Sequence, residues 1–171
     1  MDKNKIIKKA LLELGFPYAD SDIEEAESYK TASFLFDGVL YNILRDDNCR
    51  FNIKEERLRK DDVQLYEKKI SYVKPKGYIM SLSSDIEEHG DKLLSPKNNF
   101  VLRYLEQTDL THIPQNFERI LVLSLAAEIA APLNKEDKLS TVYSLLEREN
   151  LRNRKDVAFP ILNLSDLGDD N

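Results

Sequence analysis

Cysteine, glycine and histidine are scarce in this chain, and tryptophan is absent. Of 171 residues, one is cysteine, five are glycine and two are histidine. The single cysteine, Cys49, excludes an intrachain disulfide framework and favours a reducing or redox-indifferent setting. No GxGxxG, Walker-type or nucleophile-elbow motif occurs, and so few glycines argue against a glycine-rich phosphate cradle.

Long uninterrupted apolar segments are also missing. The opening sequence, MDKNKIIKKALLELG, lacks the apolar core of a signal peptide, so we expect synthesis and use in the cytoplasm. The most apolar stretch, residues 113–133, is too short to span a bilayer and contains Glu118, Arg119 and Glu128. The sequence therefore predicts no membrane anchor.

The charge balance limits the possible partners. The net charge is −6, whereas a general nucleic-acid binder needs a basic surface. Hydrophobic residues make up 42% and charged residues 33%, which is ordinary for one soluble domain of this length. The basic run KEERLRK, residues 54–60, and Lys68-Lys69 are interleaved with or flanked by acids, which is typical of a solvated face.

Two helices are predicted in the first third of the chain. The first runs from Lys3 to Leu14, with Asp2 near its start and Gly15 and Pro17 as stop signals. The second follows the start signals Asp20–Asp22, Glu24 and Glu25, and ends at Leu44 or Arg45, at a length on the order of 35 Å. Gly38 within it costs stability unless another backbone approaches there. Its predicted buried stripe comprises Ala32, Leu35, Phe36, Val39, Leu40, Ile43 and Leu44.

The middle third favours short antiparallel strands. Polar and apolar residues alternate in four segments: 51–53, 69–73, 78–82 and 100–105. Turn signals occur at 74–77, 89–91 and 95–99. The gaps are too short for crossover helices, so we expect a small antiparallel sheet.

Two more helices are predicted at Pro114–Ala131 and at about Lys135–Arg152. The first is apolar on nearly every face, which requires neighbours on every face. The stripe of Ser124, Ala127 and Ala131 would let one neighbouring helix approach closely. For the second, Asn134 with Asp137 resembles a capping pair, and its apolar stripe comprises Leu139, Val142, Tyr143 and Leu146.

Together these elements predict an α+β fold that is mainly α. We expect a bundle of about four helices from residues 1–48 and 113–154, with the β insertion, 49–112, between helices 2 and 3. Residues 1–154 would form one domain, and residues 155–171 an extended C-terminal tail. That tail is apolar yet has no helical period, so it either lies along its own domain or docks on another molecule.

Residues suited to chemistry are few and scattered. Glu128 would need a second carboxylate as a catalytic acid, and none of Glu24, Glu25 or Asp37 pairs with it by spacing. We expect it to pair with a basic residue or to face a neighbouring subunit. His89 fits a turn and His112 precedes a helix, neither in a metal-ligand spacing. We therefore expect no catalytic residue, no cofactor and no metal.

The order of elements, with particular residues, resembles the tail tubular protein A family of short-tailed phages. The likeness begins at Ile7-Lys-Lys-Ala-Leu-Leu-Glu-Leu-Gly15 and continues through the long helix to Arg50-Phe-Asn52. It resumes at Val101-Leu-Arg-Tyr104, and again at Asp109 to Phe117 before the alanine-rich helix. Cys49 stands near where many members carry tryptophan.

The resemblance implies a structural virion protein, a head-to-tail adaptor. Family members form a ring, expected to have twelve copies, that joins the portal to the distal tail (nozzle) protein. DNA passes through the central channel as cargo only. The implied location is the virion tail or neck, after synthesis in the host cytoplasm. By the same resemblance, the tail would contact the portal or a neighbouring subunit through Val157, Phe159, Pro160, Ile161, Leu162 and Leu164.

Two other functions stay open from sequence alone. The abundance of Asp and Glu allows a cell-wall hydrolase that acts at entry through a carboxylate pair. The apolar tail also allows a cytoplasmic adaptor that binds an unrelated partner through that segment.

Overall fold

The computed structural model describes residues 1–17, 26–45, 50–61 and 69–156, and it confirms the predicted α+β, mainly α fold. The four helices are α1 (Lys3–Glu13), α2 (Glu27–Arg45), α3 (Glu118–Ala130) and α4 (Leu139–Asp156). The strands are β1 (Ile53–Arg57), β2 (Ile70–Val73), β3 (Tyr78–Ser81), β4 (Glu87–His89), β5 (Lys92–Ser95) and β6 (Val101–Glu106). Short 3-10 turns occur at Arg50–Asn52, Gln115–Phe117 and Glu136–Lys138.

Helix α3 lies at the centre of the bundle and packs against α1, α2 and α4. Its buried residues lie on all sides of the helix, as predicted: Ile120, Leu121, Val122, Leu123, Leu125, Ala126, Ile129 and Ala130. The predicted small-residue stripe is less buried than its neighbours, because Ser124 and Ala127 are half-buried and Ala131 is exposed. The regular helix starts at Glu118, four residues after Pro114, because a 3-10 turn comes first.

Helix α1 begins and ends at the predicted signals. The Asp2 carboxylate accepts a hydrogen bond from the Lys5 backbone N–H at 2.9 Å, which caps the first turn. Gly15 adopts a φ of +82°, and the N–H of Phe16 reaches back to the carbonyl of Leu11 at 3.1 Å. This is the Schellman geometry, in which a left-handed glycine satisfies the last carbonyls of a helix.

Helix α2 ends at Arg45, within the predicted limit. The predicted start signals, residues 20–25, lie outside the described residues; the described helix begins at Glu27 and its 19 residues extend for about 28 Å. Gly38 is exposed, and a methyl group there would meet no atom within 4 Å. No backbone approach therefore accounts for this glycine among the described residues.

The strands form two three-stranded antiparallel sheets, in the orders β1-β6-β3 and β2-β5-β4. The predicted strands at 69–73, 78–82 and 100–105 correspond to β2, β3 and β6, whereas the segment 51–53 is mostly a 3-10 turn that leads into β1. The predicted turn at residues 89–91 joins β4 to β5, with Gly90 at a φ of +59°.

The bundle and the β1-β6-β3 sheet meet at Asn52. Its side-chain N–H group donates to the carbonyl of Leu44 at 2.9 Å and to that of Glu106 at 3.1 Å, which links the ends of α2 and β6. Beside it, the rings of Phe51 and Phe117 pack edge to face at 4.7 Å. The insertion is thus fixed to the helices by polar and apolar contacts.

Helix α4 is preceded by a turn that differs from the predicted capping pair. Asn134 has a φ of +54°, and Lys135, not Asn134, takes the cap position of the turn at Glu136–Lys138, without a side-chain hydrogen bond. Near its far end, buried Asn153 accepts from the Asn116 side chain at 2.7 Å. The last turns of α4 are therefore held against the segment that opens α3.

Within the described residues, none of the helices combines the length and apolarity that crossing a bilayer requires.

Candidate interface surfaces

The tail residues predicted to contact a partner lie outside the described residues. They are Val157, Phe159, Pro160, Ile161, Leu162 and Leu164. Helix α4 extends to Asp156, so residues 155 and 156, assigned to the tail from sequence, belong to the helix. The tail therefore continues directly from α4.

Helix α4 carries exposed apolar side chains on its outer side. Tyr143 is 55% exposed and Leu151 is 53% exposed. Their spacing of eight residues places them along one side of the helix, with Glu147 between them. Together with Leu146 and Asn150 they line a shallow groove. We call Tyr143, Glu147, Asn150 and Leu151 the α4 face.

The sequence predicted that Tyr143 would share the buried stripe of α4, and this is wrong. Val142 is buried against the core, while Leu139 and Leu146 are partly buried. Tyr143 lies about 100° round the helix from Val142, and this rotation takes its ring out of the contact with α3.

Helix α2 presents a second apolar surface. Phe34 is 85% exposed, and Tyr41, seven residues later on the same side of the helix, is also exposed. Gly38 lies between them and leaves open space, while Lys30 and Arg45 lie about one turn beyond the two aromatic rings. We call Lys30, Phe34, Gly38, Tyr41 and Arg45 the α2 face.

Sequence reasoning missed the α2 face. It assigned the apolar stripe of α2 to the buried side, and Phe34 and Tyr41 fall outside that stripe. Their spacing of seven residues was the signal available in the sequence.

Two ion pairs join α1 to the start of α3. Lys9 bonds Glu118, and Arg119 donates to Glu13 at 2.5 Å. The ammonium of Lys9 outweighs the effect of burial and holds the pKa of Glu118 below its ordinary value. Glu118 also lies in the first turn of α3, where a carboxylate is favoured by the helix dipole. These pairs fix α1 to the start of α3.

The sheet surface is covered by charges that neutralise each other. Lys54 pairs with Glu106 at 2.7 Å, and that hydrogen bond raises the pKa of Lys54. Arg103 lies 3.6 Å from Glu55 on the neighbouring strand. The charged residues of the KEERLRK run, 54–57, 59 and 60, are all exposed and form the solvated face that was predicted, whereas Leu58 is buried.

Two tyrosines link the charged surface of the sheets to their core. The rings of Tyr78 and Tyr104 stack at 5.7 Å, and burial raises the pKa of both hydroxyls. Tyr78 donates to Glu88 at 2.5 Å, and Lys74 lies 3.0 Å from the same carboxylate. Burial opposes ionisation of Glu88, but these two donors outweigh it and lower its pKa.

The connection from β6 to α3 contains a compact polar turn. The Asp109 carboxylate accepts from the backbone N–H of Thr111 at 3.0 Å and contacts His112 at 2.8 Å. Hydrogen bonds from the Thr111 and His112 side chains lower the pKa of Asp109 to about 2. All three residues are exposed, and the arrangement stabilises the turn.

The carboxylates considered for catalysis are dispersed. Glu128 is exposed on α3 and does not face the core, while Asp37 on α2 pairs with Lys3 at 3.2 Å. Glu24, Glu25 and Cys49 lie outside the described residues. His89 ends β4 and His112 contacts Asp109, both on the surface. Across the described ranges, no three of His, Cys, Asp and Glu are grouped so as to hold a metal ion.

No family model and no curated protein matches this chain.

Proposed function

We propose that this chain is a structural protein of a phage particle, a head-to-tail adaptor that assembles into a ring between the portal and the distal tail protein. The proposal starts from the resemblance to the tail tubular protein A family and is supported by the surface of the bundle. Members of that family are expected to act without catalysis, a cofactor or a metal. The DNA passes through the ring as cargo.

One observation carries the proposal: the outer helices of the bundle present large apolar side chains to solvent. Phe34, Tyr143 and Leu151 are each more than half exposed. Such residues singly need no explanation, but pairs aligned along one side of a helix are typical of protein interfaces. Aromatic residues are enriched in such contacts. Exposed aromatic residues occur on both helices: Phe34 and Tyr41 on α2, and Tyr143 on α4.

The charge of the chain agrees with a channel for DNA. Each cationic contact with phosphate would bind the DNA more strongly and slow its passage. The net charge is −6, and basic residues on the described sheets are largely paired to acids, so this binding stays weak. The proposal therefore needs no basic groove.

The tail supplies a second point of attachment. Between α4 and its first glycine it has seven hydrophobic residues, and it contains three aspartates. We propose that Val157, Phe159, Pro160, Ile161, Leu162 and Leu164 contact the portal or a neighbouring subunit. An extended apolar segment of this kind binds by laying alternate side chains into pockets of its partner.

Electron microscopy of the purified protein tests the proposal. The full chain, alone and mixed with a portal protein, is expected to give rings of uniform diameter in negative stain. Deletion of residues 157–171 should leave helicity by circular dichroism unchanged and weaken binding to the portal. A chain that stays monomeric and never associates with any portal would contradict the proposal.

A further inference from the structure

The end of α4 lies close to a groove between α1 and the start of α3. Asn153 accepts a hydrogen bond from the Asn116 side chain at 2.7 Å, and the residue next to Asn116, Gln115, lines the groove. Helix α4 ends at Asp156, three residues or about 4.5 Å beyond Asn153 along its axis. The tail therefore starts near this groove.

The groove is apolar at its base and electrically balanced at its rim. It encloses about 400 Å³, and its apolar lining comes from Leu12 on α1 and Val122 on α3. Leu12 is 51% exposed, so its side chain is only half covered by the described residues. The other lining residues are Gln115 and the two ion pairs that join α1 to α3, in which each acid is neutralised by a base. We call this set the α1–α3 groove.

The outer side of α1 adds positive charge beside the groove. Lys5 and Lys8 lie seven and four residues before Leu12, so all three lie on one side of the helix. Neither lysine forms an ion pair with another residue that the structure describes. Lys5 acts on Glu118 only at longer range, because Lys9 bonds that carboxylate. An apolar segment that also carries acids would match both features of this surface.

We infer that the tail of the free chain binds in its own α1–α3 groove. Residues 159–164 would cover Leu12, and the tail aspartates would lie toward Lys5 and Lys8. The inference concerns the chain before assembly, so it goes beyond the proposed adaptor function. A partner that binds the same tail residues must first release them from the groove.

The length of the tail suits this placement. Residues 159–164 follow the end of α4 by three to eight residues, which an extended chain carries to about 10–27 Å from the helix end. Along α1, Leu12 and Lys5 are seven residues apart, or about 10.5 Å. Three aspartates follow within the next six residues of the tail: Asp166, Asp169 and Asp170. They can therefore reach the lysines while the apolar residues lie at Leu12.

Tethering favours the groove of the same chain over that of another copy. A short flexible connection holds the tail at an effective concentration on the order of millimolar. A contact too weak to hold separate chains together is therefore still populated within one chain.

The acids closest to the groove do not compete for the lysines. Asp2 accepts from the Lys5 backbone N–H as the cap of α1, and Glu13 and Glu118 are bonded to Arg119 and Lys9.

A second acidic segment, residues 20–25, lies outside the described residues. Ile23 is its one hydrophobic residue, whereas the tail offers both an apolar run and acids. The tail is therefore the better match to a surface that combines Leu12 with lysines.

A paramagnetic label on the tail tests the inference. In a Cys49→Ser background, Asn163→Cys places a nitroxide between Leu162 and Leu164 without removing an apolar side chain. In amide NMR spectra of the full chain, the label should weaken the signals of Leu12 and Gln115 and leave that of Tyr143 unchanged.

Two matched variants separate the groove from the α4 face. Leu12 and Leu151 are both leucines on helices, 51% and 53% exposed, so aspartate at either site changes the charge equally and should leave the helicity by circular dichroism unchanged. Leu12→Asp blocks the groove and should restore the Gln115 signal in the labelled protein. Leu151→Asp is the control, and the Gln115 signal should stay weak.

Three results would overturn the inference. The first is a label that leaves Leu12 and Gln115 unaffected, as expected if residues 20–25 occupy the groove. The second is a label that weakens Tyr143 and is released by Leu151→Asp, which would place the tail on the α4 face. The third is weakening of Gln115 only in mixtures of spin-labelled chains with unlabelled, isotope-enriched ones, which would place the tail in the groove of another copy.

The inference and the adaptor function can fail separately. The label measurement uses the free chain without a portal, so a tail that does not bind the groove leaves the adaptor function standing. A tail that binds the groove in a chain that forms no ring and binds no portal would leave the inference intact and contradict the adaptor function.

Discussion

The helical bundle and the two sheets bury their apolar side chains in different ways. In the bundle, α3 is enclosed by three helices, and one large cluster of mostly aliphatic residues spans all four. The core of the sheets is smaller and contains two fully buried tyrosines, Tyr72 and Tyr104, whose hydroxyls bond Lys97 and Glu56. Around it lie ion pairs between exposed side chains, which contribute little each.

This difference indicates where the stability of the chain resides. Aliphatic burial scales with the apolar area removed from water, and the bundle buries more of it than the sheets do. The bundle can therefore keep apolar residues on its outer side without losing its fold. We expect the sheets to depend on their junction with the helices at Asn52.

The largest effect is expected from a cavity in the bundle. Leu123 on α3 is fully buried, so Leu123→Ala removes its packing and should lower the free energy of unfolding by about 2–5 kcal/mol. Urea denaturation followed by circular dichroism measures the change. Leu12→Ala, at an exposed site, should cost less than about 1 kcal/mol, and a similar loss for both would refute α3 as the centre of the core.

A smaller effect is expected at the junction of the two regions. Asn52→Ala removes the donor to the carbonyls of Leu44 and Glu106, and this should cost about 1–3 kcal/mol. Hydrogen exchange should show faster exchange of the β1 and β6 amides than of those in α3. If all amides lose protection equally, the sheets and the bundle unfold as one unit.

The ion pair between Lys9 and Glu118, at the start of α3, is expected to contribute about 1 kcal/mol to the free energy of unfolding. That contribution depends on pH. The folded pKa of Glu118 is depressed, so its stabilisation is present above the ordinary value of 4.5 and is lost as pH falls through the folded pKa. Glu118→Gln should therefore destabilise the protein at pH 7 and match the wild type in strong acid. Glu128→Gln, at an exposed site of the same helix, is the control and should have no measurable effect.

The smallest effect has the opposite sign. Gly38→Ala places a methyl group in open space on an exposed helical site, and should stabilise the protein by about 0.5–1 kcal/mol. Thermal melting measures it. Gly77→Ala is the contrast, because Gly77 has a φ of +76° and substitution there should lower the melting temperature.

The sequence predicted the helices better than the strands, for physical reasons. Helix α1 has a cap at Asp2 and a stop at Gly15, and α3 is apolar on every face, so each carries a strong local signal. Strand β4, Glu87-Glu88-His89, is exposed throughout, so its sequence has no alternation of polar and apolar residues to detect. For that reason the β2-β5-β4 sheet could not be distinguished from the β1-β6-β3 sheet by sequence.

The candidate interfaces were predictable only in part. The apolar tail was identified from sequence, but its residues lie outside the described ones and its contacts stay a prediction. The exposure of Phe34 and Tyr143 depends on how α2 and α4 are rotated against α3. That rotation is set by tertiary packing, which a single helix does not encode.

The hydrogen bond between Asn153 and Asn116 holds the end of α4 in place, so the point from which the tail starts is fixed. The fifteen residues after Asp156 can extend no farther than about 50 Å from that point. Any surface that receives Phe159 must therefore lie within roughly 10 Å of the helix end, while the aspartates can reach several times that distance. A spectroscopic label on Arg152, paired with one on a partner, would measure this reach directly.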